Sequence, residues 1–211
     1  MTTPLFHARP FFEPTNEDLR FLPEGPRVLR NFTQGGMLGW VAIQHAADRP
    51  FGSFNLLDLS TRENRTIPLP GRPGFFAETS QPGVVLVGLE RRLILLDLNN
   101  GALTETGVVV TADERVIVND GLAVEGGVLF GTKHLEFALS IGALYFFDPA
   151  ARSLHQILDG QVCSNGKALT RDPHGATLID IDSQPKSLTI FRLDASLRLV
   201  QSRRPLAPPE A

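Results

Sequence analysis

Leu93-Ile-Leu-Leu-Asp97-Leu98 is an apolar run that ends on an aspartate and gives way to a polar turn. The same order recurs in Phe54-Asn-Leu-Leu-Asp58-Leu59, in Leu144-Tyr-Phe-Phe-Asp148-Pro149 and in Leu188-Thr-Ile-Phe-Arg-Leu-Asp194. A second apolar run precedes each: Leu38 to Ile43, Val84 to Gly88, Val128 to Gly131 and Ala176 to Asp180. Runs without polar alternation fit strands buried on both faces. A unit of about four strands repeating every roughly 40 to 50 residues is the pattern of a β-propeller blade. Four such units are expected between residues 21 and 204. A β-sandwich or open antiparallel sheet also has short strands, but it does not explain the repeated order of apolar strand, aspartate, turn and polar strand.

Composition agrees with an all-β chain. Gly 19 and Pro 16 supply many turns, and long amphipathic helical patterns are scarce. The 211 residues, 42% hydrophobic, suffice for a real core. A net charge of -3 argues against a nucleic-acid partner. No apolar run approaches the roughly 20 residues of a membrane span, and the first residues lack a signal-peptide pattern, so a cytoplasmic location is the expectation. Cys163 is the only cysteine, which rules out an intrachain disulfide and a cysteine zinc cluster. Residues 1–20 read as an extended, proline-rich arm that is not helical. Residues 205–211 read as a Pro-rich tail.

Two further stretches bear on chemistry: Arg115-Val-Ile-Val-Asn119-Asp120-Gly121 and Cys163-Ser164-Asn165-Gly166. Both are expected where a strand meets a turn. Asparagine beside glycine often does no more than favour a turn. Here two asparagines fall at equivalent places in successive repeats, and their amide oxygens together would make a hard-oxygen site. Asp120 is expected on the opposite strand face, as a turn acceptor, and Asp182 and Ser183 as turn hydrogen bonders. His7, His45, His134, His155 and His174 are scattered and form no HExxH pattern. Ser164 lacks a nucleophile elbow. Arg91-Arg92 and Arg203-Arg204 read as solvated pairs.

The order of these motifs resembles the senescence marker protein, gluconolactonase and luciferin-regenerating enzyme-like family. The residues that carry the resemblance are Glu24-Gly25-Pro26, Leu38-Gly-Trp40-Val-Ala-Ile43, Asn119-Asp120-Gly121 with Phe130-Gly131-Thr132, Ser164-Asn165-Gly166 and Ile181-Asp182-Ser183. The resemblance implies a six-bladed propeller, of which about four blades are present as an incomplete ring. It implies an axial Ca2+, or another divalent cation such as Zn2+ or Mn2+, held by Glu24, Asn119 and Asn165. It also implies hydrolysis of sugar lactones or related esters, with Asn119 and Arg115 binding substrate.

Three positions depart from the family pattern. The aspartate after Trp-Val is Ala42. The family's arginine two residues before the asparagine is Ile117, and Arg115 stands four before. The Pro-Asp-Gly whose aspartate is the family's last ligand and proposed base is not found after Asp194. No catalytic residue is therefore assigned, and the other reading is a non-catalytic or truncated propeller acting as a binding module. The expected partner is a small lactone or ester, with neither nucleic acid nor membrane. The open blade edges are also expected to favour self-association.

Overall fold

A computed structural model describes residues 7–32, 35–44 and 51–202. The expected tail at 205–211, His45, Arg203-Arg204 and the first six residues of the arm lie outside the described residues. Among the described residues, sixteen strands form four antiparallel four-stranded sheets, each a simple meander. Blade 1 holds β1 (Leu22–Val28), β2 (Met37–Gln44), β3 (Phe51–Asp58) and β4 (Asn64–Leu69). Blade 2 holds β5 (Pro73–Glu78), β6 (Val84–Leu89), β7 (Arg92–Asp97) and β8 (Leu103–Val109). Blade 3 holds β9 (Val116–Val124), β10 (Gly127–His134), β11 (Gly142–Asp148) and β12 (Ser153–Gln161). Blade 4 holds β13 (Ser164–Asp172), β14 (Gly175–Asp182), β15 (Ser187–Leu193) and β16 (Leu199–Ser202). The fold is an all-β propeller, and its four blades follow one another without closing a ring.

The repeated aspartates have a local cause. Each ends or follows the third strand of its blade, and its Oδ1 accepts backbone N–H groups of the next turn. Asp58 accepts from Ser60 and Thr61, Asp97 from Asn99, Asp148 from Ala150 and Ala151, and Asp194 from Ser196 and Arg198. A short carboxylate satisfies donors that the hairpin leaves unpaired.

Apolar faces join consecutive blades. Phe54, Leu56 and Phe76 lie in the core between blades 1 and 2. Phe75, Val118 and Phe130 lie in the core between blades 2 and 3, and Leu129, Leu178 and Phe191 in the core between blades 3 and 4. The first strand of each blade is the innermost: β1 meets β5, β5 meets β9 and β9 meets β13. Arg27 on β1 donates to the carbonyl of Gly121 on β9 at 2.7 Å, linking blades 1 and 3.

The arm departs from a uniformly extended chain. Glu17–Arg20 forms a 3-10 turn that starts after Pro14, at an Asn16 whose side chain accepts from the Asp18 N–H. The prolines lie before the turn and so do not oppose it. The turn buries Leu19 with Phe12 against Trp40 and Ala42 on blade 1.

Candidate functional site

Each innermost strand carries an irregularity in its pairing with the second strand. On β9, Val118 pairs with Thr132 and Gly121 with Phe130, so Asn119 and Asp120 together oppose Gly131. On β13, Asn165 pairs with Ile181 and Lys167 with Asp180, leaving Gly166 as the extra residue. On β1, Glu24 pairs with Val41 and Arg27 with Gly39, so Gly25 and Pro26 face Trp40. On β5, Pro73 pairs with Leu89 and Phe75 with Gly88, leaving Gly74 over. These are β-bulges, which bend a strand and redirect its side chains. Asn119 therefore lies inside β9 and not at a strand-to-turn junction, which corrects the expectation from sequence, whereas Asn165, the second residue of β13, stands at the junction as expected. The bulge on β9 also brings Asp120 toward blade 4 beside Asn119, where simple alternation had placed it on the other face.

Close backbone packing holds the bulge of β9. A Cβ at Gly74 would lie 2.4 Å from the Asn119 carbonyl oxygen and 2.5 Å from that of Val118, so only glycine lets β5 approach. Gly121 has a second job. A Cβ there would lie 2.5 Å from Phe75 Cγ, so the glycine of Asn-Asp-Gly seats a core ring.

The structure brings Asn119 and Asn165 to either side of Cys163. Asn119 Nδ2 donates to the Ser164 carbonyl at 2.8 Å and lies 3.7 Å from Cys163 Sγ. Asn165 Nδ2 donates to Ser183 Oγ at 3.1 Å and lies 3.9 Å from the same sulfur. With both NH2 groups engaged, neither amide oxygen accepts a hydrogen bond among the described residues, and both asparagines are half-buried. Asp182 anchors this junction by accepting from the N–H groups of Val162 and Cys163 at 2.9 and 2.8 Å. Burial pushes the Cys163 thiol above its ordinary pKa, with Lys133 acting against the shift.

Glu24 belongs to the same electrostatic neighbourhood. Burial raises its carboxyl above the usual range, Lys133 lowers it and Asp120 raises it further. It lines a largely apolar cleft of about 560 Å3 with Phe12, Leu19, Pro23, Leu38 and Trp40. Arg115 is elsewhere. It precedes β9, is 59% exposed and gives two side-chain hydrogen bonds to Asp113, at 3.0 and 2.7 Å. These bonds hold the Asp113 carboxyl down at about 2. Arg115→Ala is accordingly expected to leave both KM for any hydrolysed lactone and the melting temperature unchanged, as checked by steady-state kinetics and thermal melts. A rise in KM would return Arg115 to the substrate.

Three charged groups near the axis escaped the sequence reading. Lys133 is bridged through its backbone to Cys163, and its Nζ lies 5.3 Å from the centre of the Phe137 ring. Burial lowers its pKa, while Cys163 and Glu24 pull it back up. Arg72 and Glu90 form a bidentate pair at 2.9 and 2.8 Å. Burial alone would raise the Glu90 carboxyl, and the Arg72 hydrogen bonds outweigh it. His134, next to Lys133, is buried and accepts from the Ala138 N–H through Nδ1 at 3.2 Å, which orders the following loop.

The available donors are one carboxylate and two free amide oxygens, hard ligands of the kind Ca2+ takes, with water completing a shell of roughly six to eight. The residues thus fit a divalent cation in kind. The Lys133 ammonium is a fixed positive charge in the same neighbourhood and opposes it.

A family model described as SMP-30/Gluconolactonase/LRE-like region matches residues 22–211. No curated protein matches the chain. Among solved structures, regucalcin from Agrobacterium tumefaciens str. C58, a calcium-binding protein, aligns with a TM-score of 0.70 at 21% identity, covering 86% of this chain and 58% of that one. Puromycin hydrolase aligns with a TM-score of 0.53 at 16% identity, covering 90% of this chain and 30% of the other. Dihydro-heme d1 dehydrogenase NirN aligns with a TM-score of 0.53 at 17% identity, covering 87% and 37%. At these identities the likeness concerns the fold, and the chain spans less than two thirds of each of these proteins. No helix among the described residues is long and apolar enough to cross a membrane.

Proposed function

This chain belongs to the SMP-30/gluconolactonase/LRE-like family, and from that premise we propose that it is a divalent-cation-dependent hydrolase of sugar lactones or related esters, with Ca2+ the preferred ion. The observation that supports the reading is that the innermost strands β1, β9 and β13 carry Glu24, Asn119 and Asn165 in or directly beside their bulges. Glu24 supplies the charge of the donor set. Asn119 and Asn165 supply neutral oxygens, oriented by the hydrogen bonds their NH2 groups make to Ser164 and Ser183. A bound Ca2+ supplies Lewis acidity toward the ester carbonyl. Lys133, partly desolvated beside this space, adds a second positive charge for the developing oxyanion.

A second reading, a binding module without turnover, is favoured by the same lysine. Its ammonium already provides a cation near Glu24. Calorimetry with CaCl2 on the 211-residue chain, together with a pH-stat assay on a panel of aldonolactones, separates the two. One Ca2+ site with Ca2+-dependent hydrolysis supports the hydrolase. Lactone binding without Ca2+ and without turnover supports the module. Lys133→Met adds a directional check. Removing a like charge from the neighbourhood of a divalent ion should tighten Ca2+ binding by on the order of tenfold, while slowing any hydrolysis. Unchanged affinity would place Lys133 outside the cation's field.

A further inference from the structure

Among the described residues, the most deeply buried charges lie between blades 3 and 4, and the proposed chemistry does not use them. The Lys167 side chain, from β13, is 0% exposed. Its Nζ is 3.2 Å from Oδ1 of Asp180, whose side chain is 1% exposed, and 3.9 Å from Oδ2 of Asp120. Asp180 also accepts from Gln161 Nε2 and from Ser164 Oγ. Among the described residues Lys167 Nζ finds no well-aligned hydrogen-bond acceptor, and Gln161 Oε1 is buried without a donor. Burial pushes the Asp180 carboxyl up and Lys167 pulls it down. Gly131 makes room for the cluster, since a Cβ there would lie 2.1 Å from Ser164 Oγ and 3.4 Å from Lys167 Nζ.

An ion pair this buried is costly to desolvate, and an apolar pair of similar volume often serves stability as well or better. What the pair does supply is a fixed relation between two elements. Asp120 shares the β9 bulge with Asn119, and Lys167 closes the β13 bulge two residues after Asn165. We propose that Lys167 is a positioning residue for the Asn119 and Asn165 oxygens, because it ties Asp120 on blade 3 to Asp180 on blade 4 and so fixes the two bulges against each other. The inference rests on the reading of these asparagines as cation donors.

The sign of one measurement distinguishes this role from a purely electrostatic one. If Lys167 acted only as a charge, Lys167→Met would remove a repulsion and tighten Ca2+ binding. A positioning role predicts the opposite, a weakening of about tenfold, as for other residues that orient ligands from behind. The double variant K167M/D180N removes both charges and leaves the local total unchanged. It keeps the side-chain size of residue 180 and should fold even where K167M alone leaves Asp180 buried and unpaired. Calorimetry should show it, too, binding Ca2+ about tenfold more weakly than wild type, with a melting temperature close to wild type. Wild-type affinity in a folded double variant, or tighter binding in K167M, overturns the inference and leaves the site reading standing. Absence of Ca2+ binding by the wild type overturns both. Hydrogen exchange on the wild type needs no variant. Ca2+ should slow exchange at residues 118–121 and 164–168 together, and protection of one bulge without the other would also overturn the proposal.

Discussion

Glu24→Gln is expected to abolish measurable Ca2+ binding while leaving the fold intact. Glu24 is the one anionic donor in the proposed set, and calcium affinity follows ligand charge. Glutamine keeps the length and one oxygen but loses the charge, so affinity should fall by about a hundredfold or more. Any Ca2+-dependent hydrolysis should fall with it. Glu24 pairs with Val41 just before the β1 bulge, its carboxyl partly desolvated beside the cleft, and the ladder of β1 is made by backbone groups that Gln leaves in place. The pH dependence adds a second readout. Burial raises the folded-state pKa of Glu24 above its ordinary 4.5. A raised carboxyl favours folding fully below its unfolded pKa, and that contribution is lost as pH rises through the folded value. The metal-free wild type should therefore lose stability as pH rises above about 4.5 relative to Glu24→Gln, which has no such group. Calorimetry and metal-free melts across that range test both halves. Equal Ca2+ affinity in the two proteins would remove Glu24 from the site.

Phe130→Ala should be the most damaging single change to stability. Phe130 on β10 is fully buried at the blade 2–3 interface. Its ring stacks on Phe75 with centroids 5.2 Å apart and on Tyr145 at 5.6 Å. Phe75 is itself held over Gly121 and Gly88, so it cannot follow into the space a lost ring would leave. Truncating such a side chain costs about 3–5 kcal/mol, a large share of a total stability of about 5–15 kcal/mol. A fall of roughly 10 °C in melting temperature follows for a chain of this size. Urea denaturation followed by circular dichroism measures the loss. A cost under about 1 kcal/mol would mean that blades 2 and 3 do not depend on this stack.

The blades were legible because their signals are local. An aspartate that caps its own hairpin leaves the same mark in every repeat, as Asp58, Asp97, Asp148 and Asp194 do. Asn119 and Asn165 could be found because equivalence between repeats singles them out. Their bulges could not, since a bulge is defined by the partner strand and not by its own residues. The packing role of Gly121 is hidden for a related reason. Its neighbour Phe75 is distant in sequence and reaches it only when two blades pack. Lys133, Lys167 and the Arg72–Glu90 pair resemble ordinary solvated charges until packing encloses them. In the case of Lys167 the contact joins residues from two blades. Arg115 shows the opposite case. Its spacing of four from Asn119 is visible in the sequence, but nothing there shows that Asp113, two residues away, engages its guanidinium.

The bulges separate what the chain must keep from what it is free to change. At β5 the bulge holds Gly74 and presents no donor, yet blade 2 is paired on the same plan as its neighbours. A side chain at such a point answers to the ligand and hardly at all to the ladder. New reactivity can therefore arise by drift at three inner positions, Glu24, Asn119 and Asn165, without a detour through an unfolded ancestor, while Gly74 is held by the Asn119 and Val118 carbonyls packed against it. The same independence makes these positions the natural place to randomise in a library, with the third-strand aspartates and the interface rings held constant.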